Sequence, residues 1–298
     1  MGIGKDGWTT ADIPDQSGRT VVVTGANSGL GLATATALAA SGARVICACR
    51  DVAKGEAALS GTPGTWEVRP LDLADLSSVA LFAKELTEPV DVLVNNAGVM
   101  AVPKRMTADG FEMQLGTNHL GHFALTGHLL PRITGRVVTL SSLMHKIGRI
   151  RLDDLNWRSG YQRWLAYGQS KLANLMFSYE LQRRLDSAGS PVRSLAAHPG
   201  YASTNLQYHT ESFQDRFMGI GNRVFAQSAQ DGALPSLCAA TRPDLRGGVY
   251  LGPGGPLESR GAPRPVGSSK ASKDPVVQRA LWAASEDLTG VRFELPVG

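Results

Sequence analysis

The chain has 298 residues, 43% of them hydrophobic and 19% charged, an ordinary globular balance with ample material for a core. The formal charge is +4, but the arginines are scattered through the sequence rather than gathered into one basic stripe. That argues against generic nucleic-acid binding and leaves room for a local anionic ligand.

The N-terminal stretch carries no apolar signal region, and nowhere do about 18 apolar residues run uninterrupted, so the sequence reads as soluble, without a membrane anchor. Three cysteines, Cys47, Cys49 and Cys238, form an odd and sparse set. Cys47 and Cys49 are two apart in one apolar run, poor geometry for a disulfide, and the set fits a reducing cytoplasm.

Short β-branched runs alternate with Ala/Leu-rich segments. The expected strands, in order, are Thr20–Thr24, Ala43–Cys49, Trp66–Leu71, Val90–Asn95, Arg136–Ser141, Val192–Ala197 and Gly248–Leu251. Helical patterns fall at Leu30–Ala40, Leu76–Leu86, Phe111–Leu130 and Tyr167–Arg184, with a final helix around Val276–Ser285. Several strands are nearly all apolar, as strands covered by helices on both faces must be.

These features give an α/β fold, a single doubly wound Rossmann-type domain with a seven-stranded parallel sheet flanked by helices. Residues 1–17 read as an N-terminal extension, 205–225 as a substrate-loop segment and 252–298 as a C-terminal extension. The Gly- and Pro-rich stretch Gly252–Lys270 reads as irregular.

In "VVVTGANSGLGLATATALAASGARV" the glycines Gly25, Gly29 and Gly31 follow an apolar strand and open a helix. Gly-x-x-x-Gly-x-Gly differs from the commoner Gly-x-Gly-x-x-Gly, but the physics is the same. Glycine permits a tight turn, brings backbone amides close to a pyrophosphate and seats it at the helix N-terminus. The second strand ends in "ARVICACRD". Where an NAD site usually carries an acid, this chain has Cys49 and then Arg50, whose guanidinium can pair with a 2′-phosphate. The alternative is a solvated Arg beside a helix capped by Asp51.

Polar residues also mark the other strand ends: Asp72 in "RPLDLADL", Asn95 and Asn96 in "VDVLVNNAGVM", Ser141 and Ser142 in "GRVVTLSSLMH", Pro199 and Gly200 in "AAHPGYAST". In a parallel sheet these ends share one edge, the place of the ligand crevice.

With "TGANSGLG", "NNAG", "YGQSK" and "HPG" in this order and spacing, the sequence resembles the short-chain dehydrogenase/reductase family from about Thr20 to Thr204. "CACRD", "TNHLGHFALT" and "ALWAASEDLTGV" are most similar to its retinol-dehydrogenase-like and protochlorophyllide-reductase-like branch. The resemblance implies an oxidoreductase with NADP(H) preferred over NAD(H). The implied cofactor residues are Gly25, Asn27, Ser28, Gly29, Leu30, Gly31, Arg50, Asp72, Leu73, Asn95, Ala97, Gly98, Tyr167, Lys171, Pro199, Gly200 and Thr204. Many retinol dehydrogenases carry an N-terminal anchor; its absence here speaks against a membrane-borne retinoid.

Tyr167 and Lys171 are four apart on one helix face. A free phenol titrates near 10, and a neighbouring ammonium is expected to favour the phenolate and bring Tyr167 toward useful acid/base range. By resemblance, Ser142 holds the substrate oxygen, Lys171 also binds the nicotinamide ribose, and Asn118 supports a proton-return water. Ser141 competes with Ser142, because adjacent strand residues face opposite ways.

His119, His122 and His128 share a helix without a thiolate or carboxylate at ligand spacing, so no metal site is expected. Asp153 and Asp154 read as turn or helix-start residues. Trp157 reads as packing, while Tyr161 and Trp164 are open between packing and lining a pocket.

The function expected is hydride transfer between nicotinamide and a small, apolar carbonyl or alcohol, with Tyr167 as general acid/base. Hydride addition to C=C is a variant, and a non-catalytic NADP(H) sensor or a sugar-nucleotide epimerase are the rivals. The epimerase calls for a different glycine spacing and a larger C-terminal domain. A homodimer through the helices of Asn118 and Tyr167 and a monomer are both open, since the C-terminal tail could cover that surface.

Overall fold

The computed structural model describes residues 7–200 and 228–296. Its strands are β1 (Thr20–Thr24), β2 (Arg44–Cys49), β3 (Thr65–Pro70), β4 (Val90–Asn95), β5 (Ile133–Leu140), β6 (Arg193–Ala197), β7 (Tyr250–Pro253) and β8 (Pro263–Pro265). They form one sheet in the order β3-β2-β1-β4-β5-β6-β7-β8. All pairings are parallel except the last, where Leu251 faces Pro265 and Pro253 faces Pro263. Strand order reverses between β1 and β4, which opens the crevice at their C-terminal ends.

The helices are α1 (Gly29–Ala40), α2 (Val52–Leu59), α3 (Leu76–Glu85), α4 (Met113–Leu115), α5 (Gly121–Leu129), α6 (Arg163–Ser187), α7 (Ala229–Thr241) and α8 (Pro275–Thr289). Side chains alternate across the strands, so Val21, Val23, Val45 and Cys47 pack on one side with α1 and α7. Val22, Ile46, Leu93 and Val137 pack on the other, against α3, α5 and α6. Four helix N-termini are set by acids: Asp51 accepts from Lys54 N, Asp75 from Ser77 N, Glu112 from Gln114 N, and Asp274 from Val276 N.

Several features depart from the sequence reading. The sheet gains an eighth, antiparallel strand inside the stretch expected to be irregular. Its prolines sit on the edge, where a missing N–H removes no ladder bond. The seventh strand starts at Tyr250 rather than Gly248, whose φ of 76° is a turn conformation. The single helix expected at Phe111–Leu130 is divided by a π-turn at Gly116–Leu120. Helix α2 is the one Asp51 was expected to cap, whereas α7 was not anticipated; α7 carries Pro235 and Gly232 inside it, which hide its period.

The C-terminal tail does cover the paired helices. On α8, Leu281 and Trp282 are buried, and Trp282 stacks on Phe177 of α6 at 5.7 Å and meets Phe123 of α5 edge-on at 5.1 Å. Arg184 lies over the same indole at 4.2 Å. Trp282→Ala should therefore lower unfolding free energy by about 3–5 kcal/mol in a urea titration, the usual scale for removing a buried aromatic.

Candidate active site

The glycine turn is built by close backbone approach. Gly25 and Gly29 have φ of 68° and 53°, and a Cβ on Gly31 would collide with Gly25 O and stand 2.5 Å from Asn96 Nδ2. Gly25, Asn27, Ser28, Gly29, Leu30 and Gly31 form one wall of a cleft of about 300 Å³. Ala97 and Gly98 form the opposite wall, Asp72 and Leu73 close it at the end of β3, and Arg50 stands at its lip. Arg50 is exposed, and Asp51 caps α2 beside it. These residues fit a dinucleotide: amides at a helix N-terminus for the pyrophosphate, and a cation at the β2 corner.

Asn95 corrects the expected set. It is fully buried, and its Nδ2 donates to Thr126 Oγ1 at 2.9 Å inside the core. Its neighbour Asn96 faces the other way, lines the cleft and donates to Thr24 O at 2.7 Å. The reading also missed Lys54, one helical turn from Arg50 on the same cleft; its i, i+4 spacing from Arg50 was the available signal. Thr204 and the expected substrate-loop segment lie outside the described residues.

The inner end of the cleft meets Asn118 and Lys171 at Gly98. A Cβ on Gly98 would stand 3.0 Å from Asn118 Oδ1 and 3.5 Å from Lys171 Nζ. The Ser142 hydroxyl lies close enough to the Tyr167 phenol to favour its ionised form. Ser141 points the other way and donates to Lys171 O at 2.8 Å, so the geometry separates the two serines. Trp164 stands edge-on to the Tyr167 ring at 6.5 Å, beside the reacting position rather than in the core. Trp157 is buried under Arg151, and Tyr161 donates to Val102 O. Asp154 accepts from Arg158 N in a turn.

Electrostatics here differ from expectation. Burial pushes the Tyr167 phenol up to about 12, opposed only by the Ser142 hydroxyl. Burial pulls the Lys171 ammonium down to about 8. Lys171 Nζ lies 5.7 Å from the centre of the Tyr167 ring and donates to Leu140 O at 3.3 Å. Desolvation thus outweighs the attraction expected between the pair, and Tyr167 holds its proton at neutral pH.

Asn118 sits in the π-turn and is fully held. Its Nδ2 donates to Val99 O and Ser170 Oγ, both at 2.9 Å, and its Oδ1 accepts from Val99 N at 2.8 Å. Its carbonyl takes a bond from His122 Nδ1, and His122 Nε2 meets Thr24 Oγ1, each at 2.9 Å. Thr24 Oγ1 already accepts from Asn96 N and Ala97 N, so its hydroxyl donates to Nε2 and the imidazole proton is on Nδ1. The sequence reading left His122 and Thr24 without a part in the site. His119 pairs with Ser285, and no group of three metal-ligating side chains occurs among the described residues.

The short chain dehydrogenase profile matches residues 19–215. Human Retinol dehydrogenase 13 is 42% identical over 293 residues, covering 92% of this chain and 85% of that protein. The crystal structure of an uncharacterized protein from Mycobacterium paratuberculosis is 55% identical with a TM-score of 0.85, covering 97% of this chain and 100% of that one. A structure from Beutenbergia cavernae with bound NADP is 30% identical with a TM-score of 0.58, covering 76% and 90%.

The fold and cleft define a nicotinamide-dependent oxidoreductase, and the chain belongs to the short-chain dehydrogenase family, in its retinol-dehydrogenase-like branch. It is an enzyme of the class acting on CH–OH donors.

Burial holds His119 down at about 4 and His122 at about 3. Because the folded values lie below the unfolded one, the unfolded chain binds more protons. Stability from keeping the rings neutral is complete above about pH 6.5 and is lost as pH falls toward the folded values. Urea unfolding at pH 7 and pH 5 should therefore show the wild type losing about 1–2 kcal/mol more than His119→Asn, which lacks that titrating ring. Equal losses would contradict it.

Proposed function

We propose that this protein is an NADP(H)-dependent oxidoreductase that interconverts an apolar carbonyl compound and its primary or secondary alcohol, with Tyr167 as general acid/base. The observation that carries the reading is the meeting of Asn118, Lys171, Tyr167 and Ser142 at the inner end of a glycine-walled cleft.

A nicotinamide bound there would supply or accept the hydride. In the reductive direction Tyr167, protonated at neutral pH, gives its proton to the carbonyl oxygen. Ser142 donates to the same oxygen where negative charge develops. Lys171 would hold the ribose hydroxyls of a bound cofactor, and Asn118, braced on Val99 and Ser170, keeps that end of the cleft in shape. In the oxidative direction Tyr167 takes the alcohol proton, and positive charge near the phenol assists by lowering its pKa. Arg50, with Lys54 one turn away, supplies charge for a 2′-phosphate, in keeping with the NADP held by the Beutenbergia cavernae protein. Trp164 beside Tyr167, and a relative named for retinol, support an apolar substrate.

A non-catalytic NADP(H) sensor on this fold has no need of the buried phenol and ammonium, and turnover separates the two readings. Tyr167→Phe should cut kcat by at least about 10²-fold while leaving NADPH affinity within about twofold; a fully active variant overturns the assigned proton donor. Arg50→Ala should weaken NADPH by roughly tenfold and NADH hardly at all, as loss of a charge-assisted bond to phosphate requires. Equal losses for both cofactors overturn the preference.

A further inference from the structure

His198, directly before Pro199 and Gly200, has no exposed surface and takes no part in the chemistry above. Its Nδ1 accepts from Gly200 N at 3.1 Å, and its Nε2 lies 3.0 Å from Glu258 Oε2. A neutral ring that accepts at Nδ1 carries its proton on Nε2, so His198 donates to the carboxylate. Protonating Nδ1 would replace its lone pair by a donor and expel the Gly200 amide. Burial keeps the ring neutral, at about 4, against the attraction of Glu258, while His145 and Lys146 nearby push the same way as burial.

Glu258 is delivered by a strained turn. Leu257 and Glu258 have φ of 52° and 56°, left-handed values that cost roughly 1–2 kcal/mol each outside glycine. Leu257 is 92% exposed, so its burial does not offset that strain. What the turn does make is contact with the end of β6. Glu258 bonds His198, and its other oxygen lies 3.5 Å from Lys146 Nζ. A Cβ on Gly200, itself at φ 72°, would stand 2.5 Å from Ser259 O and 3.0 Å from Glu258 O. On the other side Gly252 of β7 presses so closely on His198 that its own Cβ would overlap the ring.

A second histidine makes a similar link with the ring roles reversed: His145 Nδ1 donates to Ser142 O at 2.7 Å, and its Nε2 accepts from Ser269 N at 3.2 Å. Both rings lie against Tyr250, at 5.6 and 5.2 Å. The chain after β7 thus reaches the backbone of Ser142 through Ser269 and one imidazole, and that of Gly200 through Glu258 and the other. A histidine that only filled the core would need no acid brought in on a strained turn.

We infer that His198 and Glu258 are positioning residues whose hydrogen-bonded pair, carried in by the β7–β8 hairpin, fixes the Pro199–Gly200 turn against the nicotinamide end of the cofactor. This rests on the cofactor reading above: with the phosphate turn at β1 and Ser142 at β5, the end of β6 lies on the nicotinamide side.

The test is the dissociation constant of the full chain for NADPH and for 2′,5′-ADP, which has no nicotinamide half. Glu258→Ala should weaken NADPH by roughly tenfold, the effect of losing one charge-assisted bond, and leave 2′,5′-ADP unchanged. Glu258→Gln, whose amide oxygen still accepts from Nε2–H, should restore most of the loss. His198→Asn, which keeps an acceptor near the place of Nδ1, should hold NADPH better than His198→Gln, which does not. Unchanged NADPH affinity in Glu258→Ala overturns the inference, as does equal weakening of both ligands. A wild-type chain that bound neither ligand would remove the cofactor reading and this inference with it.

Discussion

The site depends on one hydroxyl. Thr24, the last residue of β1, accepts from the amides of Asn96 and Ala97 and donates to His122, whose other nitrogen holds the carbonyl of Asn118. Four pieces of chain are joined at that point: the glycine turn, the end of β4, the π-turn and α5. Because the node is buried, each unmade bond would leave a polar group without water, so the arrangement is close to all-or-none. Gly98 is held against Asn118 and Lys171 as a result, and the cleft ends beside them.

Burial then sets the chemistry available there. It moves the phenol of Tyr167 and the ammonium of Lys171 in opposite directions, each toward its neutral form. In the reduction proposed above, such a protonated phenol beside a hydroxyl donor would give its proton to a developing alkoxide. The proposed reverse reaction would call for positive charge near the ring, and Lys171 Nζ lies 5.7 Å from its centre. The C-terminal region joins the same design from outside: α8 closes the core over Phe123 and Phe177, while Ser269 and Glu258 reach the backbone at Ser142 and Gly200 through His145 and His198.

Much of this was legible in the order of residues along the chain. Strands covered on both faces must be apolar throughout, so β1 and β4 were placed residue for residue. The glycine turn was legible because only glycine tolerates both the positive φ at Gly25 and the close approach at Gly31. What was missed has a common character. Asn95 and Asn96 look alike in sequence, and only the pleat decides which faces the core. His122 and His198 are single residues whose partners lie far along the chain, Thr24 for one and Glu258 for the other. The strand β8 is too short and proline-rich to signal itself.

The sequence by itself determined the class of fold, the phosphate turn and the Tyr167–Lys171 pair, because each follows from local rules: side-chain period, glycine's freedom and helical spacing. The tertiary structure alone decided which serine faces the phenol, how burial sets the two pKa values, and that a C-terminal turn braces the end of β6. Those depend on which distant atoms exclude water from which groups, a property that no local pattern encodes.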